Sequence, residues 1–451
     1  MGKYHFIAIG GIGMSGLAKY LLEEGHTVTG SDIQDSKYID ALRKLGAGVN
    51  IGHSADNVPE GAKVVVSTAI RENNPELIKA KELGLKIYHR SDLLKEIAQS
   101  AQENGKCFIG FSGTHGKTTT SGLASYVLDE SGYEPAFVVG GIIPDIHTNA
   151  QHKSGKYFTA ELDESDGTIV KYSPDILVIN NIEPDHLDFY KNGLDDLIKT
   201  FNIAVSKAKK VIINKDNDGT NLLSGNFITF GLNDADYAAK NIEYSKEGTT
   251  FDIYYRGKFL TNIFTPLGGT HNVYNNLAVV SALNEAGVDI SRIKESFGTF
   301  SGMGRRFQKV CDLNGIEVYD DYAHHPTEIK ATLDAACKKF GKEHIVAVFQ
   351  PHRYTRLKSL WNDFKEAFGN AGRVIVTDVY AASEDEIEGI SGENFAEELS
   401  FAEYISGSIA EVGSKLYKTL KSGDVVIGLG AGTITDLGKA IQKSSEEMIC
   451  K

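Results

Sequence analysis

The chain has 451 residues, of which 41% are hydrophobic and 24% are charged, as is typical of a globular protein with two to four domains. Its formal net charge of -13 argues against nucleic acid as the main partner, because binding to a phosphate backbone needs a basic surface. The sequence shows neither a run of about 18 apolar residues nor the pattern of a signal peptide, and its four cysteines are dispersed. We therefore expect a cytoplasmic protein without membrane insertion.

Three blocks of the chain each begin with a β-branched strand that leads into a glycine-rich or polar loop and then a helical pattern. This order is typical of parallel units, so we predict an α/β fold. The predicted domains are a Rossmann-like domain at 1–103, a central P-loop ATPase-type domain with a mixed sheet at 104–299, and a C-terminal Rossmann-like domain at 300–451. The predicted strands are 6–9, 28–30, 64–67, 107–111, 157–160, 176–179, 211–213, 345–349, 374–377 and 425–429, with a hairpin-like tract over 228–263.

The first loop has the pattern G-x-G-x-x-G at Gly11, Gly13 and Gly16, between a predicted strand and a predicted helix. Glycines at this place let the backbone approach a diphosphate at the helix N-terminus. Asp32, at the end of the next strand, has the position of a ribose-binding acid. The pattern does not distinguish NAD from UDP, and the alternative is that the glycines only allow a strand and a helix to pack.

The second loop, GTHGKTT at 113–119, also follows a predicted strand and precedes a helical pattern. Its amides can surround phosphates, Lys117 can reach the outer phosphate oxygens, and the Thr118 hydroxyl can bind magnesium. The match to the full P-loop pattern is imperfect, since its first glycine would fall at Phe111. We nevertheless predict ATP binding here rather than a chance turn.

Two polar clusters follow later strands of the central block. Carboxylates at 161–166 come after a strand, where a further magnesium ligand is expected, although a solvated acidic turn is the alternative. His186 lies among acidic residues at the end of the next strand and is a candidate metal or phosphate ligand.

Two arginine pairs mark the third block. Arg305 and Arg306 suit an ATP phosphate or an acyl phosphate, with a surface ion pair as the alternative. Arg353 and Arg356, three residues apart, can face one carboxylate from a single helical turn.

Eight segments occur in order: GIGMSG, GTHGKTTT, ELDESD, NNIEPDHLDFY, HNVYNN, GRRFQ, DDYAHHPTEI and FQPHRYTRL. With them the chain closely resembles the Mur ligase family over essentially its whole length. The resemblance implies ATP-dependent ligation of L-alanine to the carboxylate of UDP-N-acetylmuramate through an acyl phosphate, in peptidoglycan synthesis. The implied partners are UDP-N-acetylmuramate, L-alanine and ATP, with Mg²⁺ as cofactor and a monomer or weak homodimer as the assembly.

The resemblance also implies roles for individual residues. Those implied for UDP binding are Gly11, Gly13, Met14, Ser15, Gly16 and Asp32. Those implied for ATP are Gly113, Thr114, His115, Gly116, Lys117, Thr118, Thr119, His271, Asn272, Asn275, Arg306 and Asp321. The implied metal ligands are Thr118, Glu161 and His186, and the implied L-alanine contacts are Tyr322, His324, Arg353 and Arg356. The implied catalytic groups are Lys117, Glu161, His186, Arg306 and His324.

One position departs from several members of the family, which carry a carbamylated lysine at a fixed spacing after the equivalent of His186. Here Phe201 stands at that spacing and Lys199 is out of register. We therefore expect metal binding without a carbamate, which favours the branch that adds alanine.

Three other functions compete with this interpretation. A related ligase that recycles a murein tripeptide shares the P-loop and an Ala-His-His-Pro segment. An NAD-dependent oxidoreductase is suggested only by the first glycine loop and leaves Lys117, Glu161 and His186 without a role. A P-loop switch would hydrolyse ATP at the same rate with or without UDP-sugars and amino acids.

Overall fold

The computed structural model describes residues 1–184, 189–245, 247–382 and 384–449. The chain divides into two compact units. The first comprises 1–242, 251–264 and 274–300, and the second comprises 243–250, 265–273 and 301–451. The predicted segments 1–103 and 104–299 thus fall mostly within the first unit. Within the described residues, no helix has the length and apolar character needed to cross a membrane.

The N-terminal segment of the first unit forms a five-stranded sheet in the order β3-β2-β1-β4-β5, and every pairing in it is parallel. Its strands are β1 (Lys3–Ile7), β2 (Thr27–Asp32), β3 (Gly48–Ile51), β4 (Lys63–Val66) and β5 (Ile87–His89). Its helices are α1 (Ile12–Glu23), α2 (Lys37–Lys44), α3 (Pro75–Glu82) and α4 (Arg90–Glu103). The strand order reverses between β1 and β4, and parallel sheets bind ligands beyond the carboxyl ends of the strands at such a point.

The strand predicted at 6–9 is displaced toward the N-terminus. It ends at Ile7, because Ala8 takes a φ of 64° and turns the chain toward the glycine loop. The loop thereby begins directly at the carboxyl end of the central strand of this sheet.

The central part of the chain builds a ten-stranded sheet from the described residues, in the order β15-β14-β13-β12-β11-β10-β6-β9-β7-β8. Its strands are β6 (Cys107–Ser112), β7 (Ala136–Ile143), β8 (Thr148–Gln151), β9 (Tyr157–Glu161), β10 (Ile176–Ile179), β11 (Lys210–Asn214), β12 (Ile228–Gly231), β13 (Tyr237–Tyr244), β14 (Thr249–Tyr255) and β15 (Lys258–Thr265). The helices of this part are α5 (Lys117–Glu130), α6 (Leu194–Val205), α7 (Thr270–Glu285) and α8 (Ile290–Ile293).

The predicted mixed sheet is confirmed in this central part. β7 and β8 pair antiparallel, whereas β6 pairs parallel with both β9 and β10. Because parallel neighbours end at the same edge, the loop after β6 lies between the segments that follow β9 and β10. β6 and β10 are nearly continuous apolar runs and are buried, as expected for strands covered on both faces.

The second unit contains a six-stranded sheet in the order β16-β17-β21-β18-β19-β20, counted over the described residues. Its strands are β16 (Gln308–Leu313), β17 (Ile316–Asp321), β18 (Ile345–Phe349), β19 (Arg373–Val376), β20 (Ala402–Tyr404) and β21 (Val425–Leu429). Its helices are α9 (Pro326–Phe340), α10 (Tyr354–Ser359), α11 (Trp361–Lys365), α12 (Gly392–Glu398), α13 (Ile409–Tyr417) and α14 (Leu437–Ile449). β16 pairs antiparallel with β17, and the remaining pairings are parallel.

A buried carboxylate ties the N-terminal sheet to its connecting loops. Glu76, at the start of α3, is fully buried and accepts hydrogen bonds from His5 Nε2 at 3.0 Å, Ser31 Oγ at 2.7 Å, the Ser54 amide at 3.1 Å and Asn57 Nδ2 at 2.8 Å. Burial by itself would raise the pKa of Glu76, but the hydrogen bonds from His5, Asn57 and Ser31 lower it to about 2.

We predict that Glu76→Gln destabilises the protein by roughly 1–3 kcal/mol. Glutamine has one acceptor oxygen instead of two, so buried donors around position 76 lose their acceptor. Since the pKa of Glu76 lies below its ordinary value of 4.5, its ionised form stabilises the native state above that value, and this contribution is lost as the pH falls toward 2. Urea unfolding between pH 7 and pH 3 measures both effects, and the variant should show the weaker pH dependence.

The matched control is Glu82→Gln on the same helix, whose side chain is 63% exposed. We expect it to change stability by less than about 0.5 kcal/mol. Equal effects of the two substitutions would contradict the role given to Glu76.

Candidate active site

The loop after β6 has a backbone that requires glycine at two positions. Gly113 has a φ of 128° and Gly116 a φ of 80°, both in the region that other residues rarely adopt. A Cβ atom at Gly113 would lie 2.9 Å from the Asn181 carbonyl oxygen, and one at Gly116 would lie 2.9 Å from Asn275 Oδ1. Gly116 caps α5, so the helix N-terminus points its free amides at the loop, as anion binding requires.

Two asparagines after β10 hold this loop. The Asn181 carbonyl accepts from the Thr114 amide at 3.1 Å, and Asn181 Oδ1 accepts from the His115 amide at 2.7 Å. Asn181 Nδ2 in turn donates to the His115 carbonyl at 3.1 Å, and Asn180 Nδ2 donates to Thr120 Oγ1 at 3.1 Å. The loop shape is therefore set by protein groups, with Thr118 and Thr119 in the first turn of α5.

Lys117 is almost buried within this loop. Its ammonium donates to the carbonyls of Gly113 at 2.7 Å and Thr114 at 3.1 Å, and to Glu164 Oε1 at 2.8 Å. Burial alone would lower the pKa of Lys117, but Glu164, Asp163 and the neighbouring Glu161 raise it above its ordinary value. Burial raises the pKa of Glu164 to about 7, although the Lys117 charge opposes this shift. Lys117 therefore remains a fixed positive charge at neutral pH.

Glu161 is the acid that could hold a metal beside the loop. Its Oε2 accepts from the Gly140 amide at 2.9 Å, and it also accepts a hydrogen bond from Thr118. A Cβ atom at position 140 would lie 2.3 Å from the same oxygen, so only glycine leaves room for the carboxylate. Thr118 and Glu161, two of the three predicted metal ligands, thus meet, which suits a hard cation that prefers oxygen.

The third predicted ligand, His186, lies outside the described residues. Within the described ranges, there is no group of three or more His, Cys, Asp or Glu side chains placed to hold a metal ion. Phe201, at the position of the carbamylated lysine, is fully buried in the core, whereas the Lys199 side chain is 71% exposed and pairs with Asp196 at 3.3 Å.

The glycines of the first loop have different surroundings. Gly11 caps α1, and Gly13 lines a cleft. A Cβ atom at Gly16 would lie 2.8 Å from Asn149 Nδ2, which donates to the Ile12 carbonyl at 2.7 Å. Gly16 therefore permits α1 to pack against β8, a contact between the two sheets of the first unit.

The remaining residues predicted for UDP binding surround this loop. Met14 and Ser15 are buried, and Ser15 Oγ donates to the Ile12 carbonyl at 3.1 Å. Asp32 Oδ2 accepts from the Gly10 amide at 2.8 Å and so holds the start of the loop.

An open cleft of the first unit extends from the first glycine loop to Glu161. It is lined by Gly13, Leu17, Arg90, Ser91, Leu94, Val138, Val139, Gly140, Glu161, Asp163, Thr168 and Tyr172. One end is formed by the first glycine loop and the other by Glu161, which contacts the P-loop helix. Among the described residues, the cleft thus places Gly13 of the first loop and the acid that contacts Thr118 in one space.

The residues of the HNVYNN segment divide between the two units. Asn275 belongs to the first unit and packs against Gly116 of the P-loop. His271 and Asn272 belong to the second unit, where Asn272 Nδ2 donates to the Gly268 carbonyl at 2.8 Å.

The arginine pair of the second unit has unequal surroundings. Arg305 Nε contacts Asp320 Oδ2 at 3.2 Å and its Nη2 donates to the Gly430 carbonyl at 2.8 Å, which ties the loop to β21. Arg306 Nη1 lies 3.4 Å from Glu328 Oε1. An ion pair, the alternative to phosphate binding, is thus present at both arginines.

Asp321 ends β17 and is almost fully buried. Its two oxygens accept from the amides of Phe307 and Ala323, each at 2.7 Å. Burial raises the pKa of Asp321 to about 6, although the Arg306 charge opposes this shift. The carboxylate thus shapes the loop that carries Tyr322.

A cluster of imidazole, aromatic and guanidinium groups follows β17 and β18. The His324 ring lies 5.1 Å from the Tyr322 ring and 5.9 Å from the His352 ring, centroid to centroid. His352 stacks on Tyr380 at 5.5 Å, and its Nδ1 lies 3.1 Å from Arg356 Nη1. Burial lowers the pKa of His324 to about 4 and that of His352 to about 3, so both rings are neutral at pH 7.

Arg353 has a different environment from Arg356. It precedes α10 with a φ of 70°, and its Nε lies 4.0 Å from Glu384 Oε1. Arg356 contacts His352, whereas Arg353 lies near Glu384. The two arginines therefore do not face one protein carboxylate.

Several residues that shape the site carry no role that the sequence patterns mark: Asn180, Asn181, Glu164, Arg90, Glu328 and His352. Asn181 and Glu164 lie within the quoted segments, but only the pairing of β6 with β9 and β10 shows that they contact the P-loop. Arg90 follows a short strand and carries no pattern of its own in the sequence.

We predict that Asn181→Ala weakens ATP binding roughly tenfold, because the loop loses the side-chain hydrogen bonds with the amide and the carbonyl of His115 that fix its backbone. Titration calorimetry with ATP measures the change. Asn221→Ala removes an exposed side chain that donates to the Lys215 carbonyl at 2.9 Å and is the control, expected to bind ATP as the wild type does. Unchanged affinity in Asn181→Ala would show that the loop keeps its shape without this side chain.

Three parts of the chain match domains of one protein family. Residues 3–102 match the Mur ligase family, catalytic domain, residues 111–283 match the Mur ligase middle domain, and residues 305–432 match the Mur ligase, glutamate ligase domain.

Individual relatives match nearly the whole chain. A UDP-N-acetylmuramate–L-alanine ligase of Trichlorobacter lovleyi is 40% identical over 454 residues, which cover 98% of each chain. One from Caldanaerobacter subterraneus is 41% identical over 461 residues, covering 99% of this chain and 98% of that protein. The crystal structure of a UDP-N-acetylmuramate-alanine ligase from Thermotoga maritima matches with a TM-score of 0.85 at 30% identity, covering 99% of this chain and 100% of that chain. The chain belongs to the Mur ligase family.

Proposed function

We propose that the protein joins L-alanine to the carboxylate of UDP-N-acetylmuramate, with ATP converted to ADP and phosphate. The observation that carries this proposal is the cleft of the first unit, which has Gly13 of the first loop at one end and Glu161, in contact with Thr118 of the P-loop helix, at the other. A UDP-linked carboxylate bound in this cleft would have its diphosphate beside Gly13 and its carboxylate toward Glu161. The names of the relatives, at about 40% identity over the whole chain, support the same reaction.

The three predicted segments are proposed to bind different substrates. Residues 1–103 bind the UDP group, 104–299 bind ATP, and 300–451 bind the amino acid and part of ATP. We also propose that the protein acts in the cytoplasm.

The first proposed step is attack of the muramoyl carboxylate on the γ-phosphate, which gives an acyl phosphate and ADP. A carboxylate is a poor acylating agent, and the phosphate supplies the leaving group. Lys117, charged and fixed among loop carbonyls, offsets the negative charge on the transferred group. Mg²⁺, when bound, adds further charge neutralisation, and Thr118, Glu161 and His186 are proposed to hold it.

The second proposed step is attack of the neutral L-alanine amine on the acyl carbon, which forms the amide bond and releases inorganic phosphate. We assign to His324 the acceptance of the proton that the attacking nitrogen loses. The Nδ1 atom of His324 lies 2.9 Å from the Tyr322 carbonyl, which can only accept, so Nδ1 carries the hydrogen. Nε2 therefore holds the lone pair in the neutral ring. Arg356, beside His352, supplies a positive charge for the alanine carboxylate.

Phosphate release from ATP and Mg²⁺ tests the reaction as a whole. Reactions containing UDP-N-acetylmuramate are compared without amino acid, with L-alanine and with the murein tripeptide. We expect release that depends on both the UDP-sugar and L-alanine. Dependence on the tripeptide would assign the recycling reaction instead, and indifference to every added substrate would contradict a ligase.

The amino-acid site has its own test. We predict that Arg356→Ala raises the KM for L-alanine roughly tenfold to a hundredfold, because a charged hydrogen bond to the carboxylate is lost, and leaves the KM for UDP-N-acetylmuramate unchanged. Lys358→Ala, an exposed residue of the same helix, is the control. A uniform change in both KM values would indicate a structural role for Arg356.

A further inference from the structure

Arg90 occupies a position that none of the sequence patterns marks. It is the first residue of α4 and follows β5 directly, so it lies at the carboxyl edge of the N-terminal sheet. This is the edge at which parallel sheets bind ligands, and it also carries the first glycine loop after β1. The Arg90 side chain is 36% exposed and lines the cleft.

Two contacts fix the guanidinium between the sheets of the first unit. Arg90 Nη2 donates to Asp163 Oδ2 at 3.1 Å. A Cβ atom at Gly13 would lie 3.3 Å from Arg90 Nη1, so the other edge of the guanidinium packs against the glycine loop. A side chain at position 13 would therefore crowd the guanidinium beside the loop backbone.

The charges that line the cleft favour a role for Arg90 in binding an anion. Among the described residues that line it, Arg90 is the only cation, whereas Glu161 and Asp163 are acids. A diphosphate next to the glycine loop would meet backbone amides and the α1 N-terminus, but without Arg90 the nearest side-chain charges would repel it.

A guanidinium can contact a carboxylate and a diphosphate at the same time. A guanidinium has five N–H donors in one plane, and the contact with Asp163 uses one of them. The remaining donors can face two phosphate oxygens while Asp163 keeps the plane in position.

We propose that Arg90 binds the diphosphate of the nucleotide-linked substrate and that Asp163 positions its guanidinium for this contact. The inference rests on the proposed function, because it takes the ligand of the glycine loop to be a nucleoside diphosphate.

The test uses UDP as the probe, with its dissociation constant measured by titration calorimetry on the full-length protein. Arg90→Ala should weaken UDP binding roughly tenfold to a hundredfold, since charged hydrogen bonds to phosphate are lost. Arg90→Lys should bind UDP with intermediate affinity, because it keeps the charge but not the planar fork. In steady-state assays the KM for UDP-N-acetylmuramate should rise, while the KM values for ATP and L-alanine should not change.

Lys171→Met is the matched control. Lys171 makes another ion pair between the two sheets of the first unit, with Asp92 at 2.6 Å, and does not line the cleft. If Arg90 only held the sheets together, Lys171→Met would weaken UDP binding to a similar extent, and that result would overturn the proposal. So would wild-type UDP affinity in Arg90→Ala.

The same experiment distinguishes failure of the role of Arg90 from failure of the proposed function. If the wild type ligates L-alanine and Arg90→Ala keeps its affinity for UDP, only the role of Arg90 fails. If the wild type binds neither UDP nor UDP-N-acetylmuramate, the proposed function fails and the role of Arg90 fails with it.

Discussion

The order of three parallel strands, β10, β6 and β9, is the constraint on which the phosphate chemistry depends. Parallel neighbours end at one edge, so the loop after β6 must lie between the segments that follow the other two strands. One neighbour supplies Asn181, which fixes the loop backbone, and the other supplies Glu161 and Glu164. Neither set of contacts depends on residues close to the loop in sequence.

The electrostatics of this edge follow from the same packing. Lys117 is buried, and a buried ammonium is costly unless carboxylates and carbonyls surround it. Glu164 and two loop carbonyls provide that environment and hold the charge where a phosphate would meet it. The second unit has a comparable arrangement, in which the polar loops after β17 and β18 flank β21 at one edge of its sheet.

The glycines of the first loop have different surroundings, which the sequence pattern alone does not distinguish. Gly16 permits close packing of α1 against Asn149, as a glycine that serves only packing would. Gly13 instead faces the cleft and Arg90. Packing against the central sheet and lining of the cleft therefore fall to different glycines of one motif.

The sequence by itself determined the α/β class, most strand positions and the positions of the two glycine-rich loops, because these depend on local patterns of apolar residues and glycines. Its resemblance to the Mur ligase family was sufficient to identify the family. It misplaced the end of β1, since the turn at Ala8 is imposed by the loop that follows. Only the tertiary structure brought Asn181 and Glu164 to the P-loop and Arg90 to Gly13 and Asp163, because strand order and the packing of two sheets join residues that are far apart along the chain. It also gave Arg353 and Arg356 separate partners, since the left-handed backbone at Arg353 takes this residue out of the helix that carries Arg356.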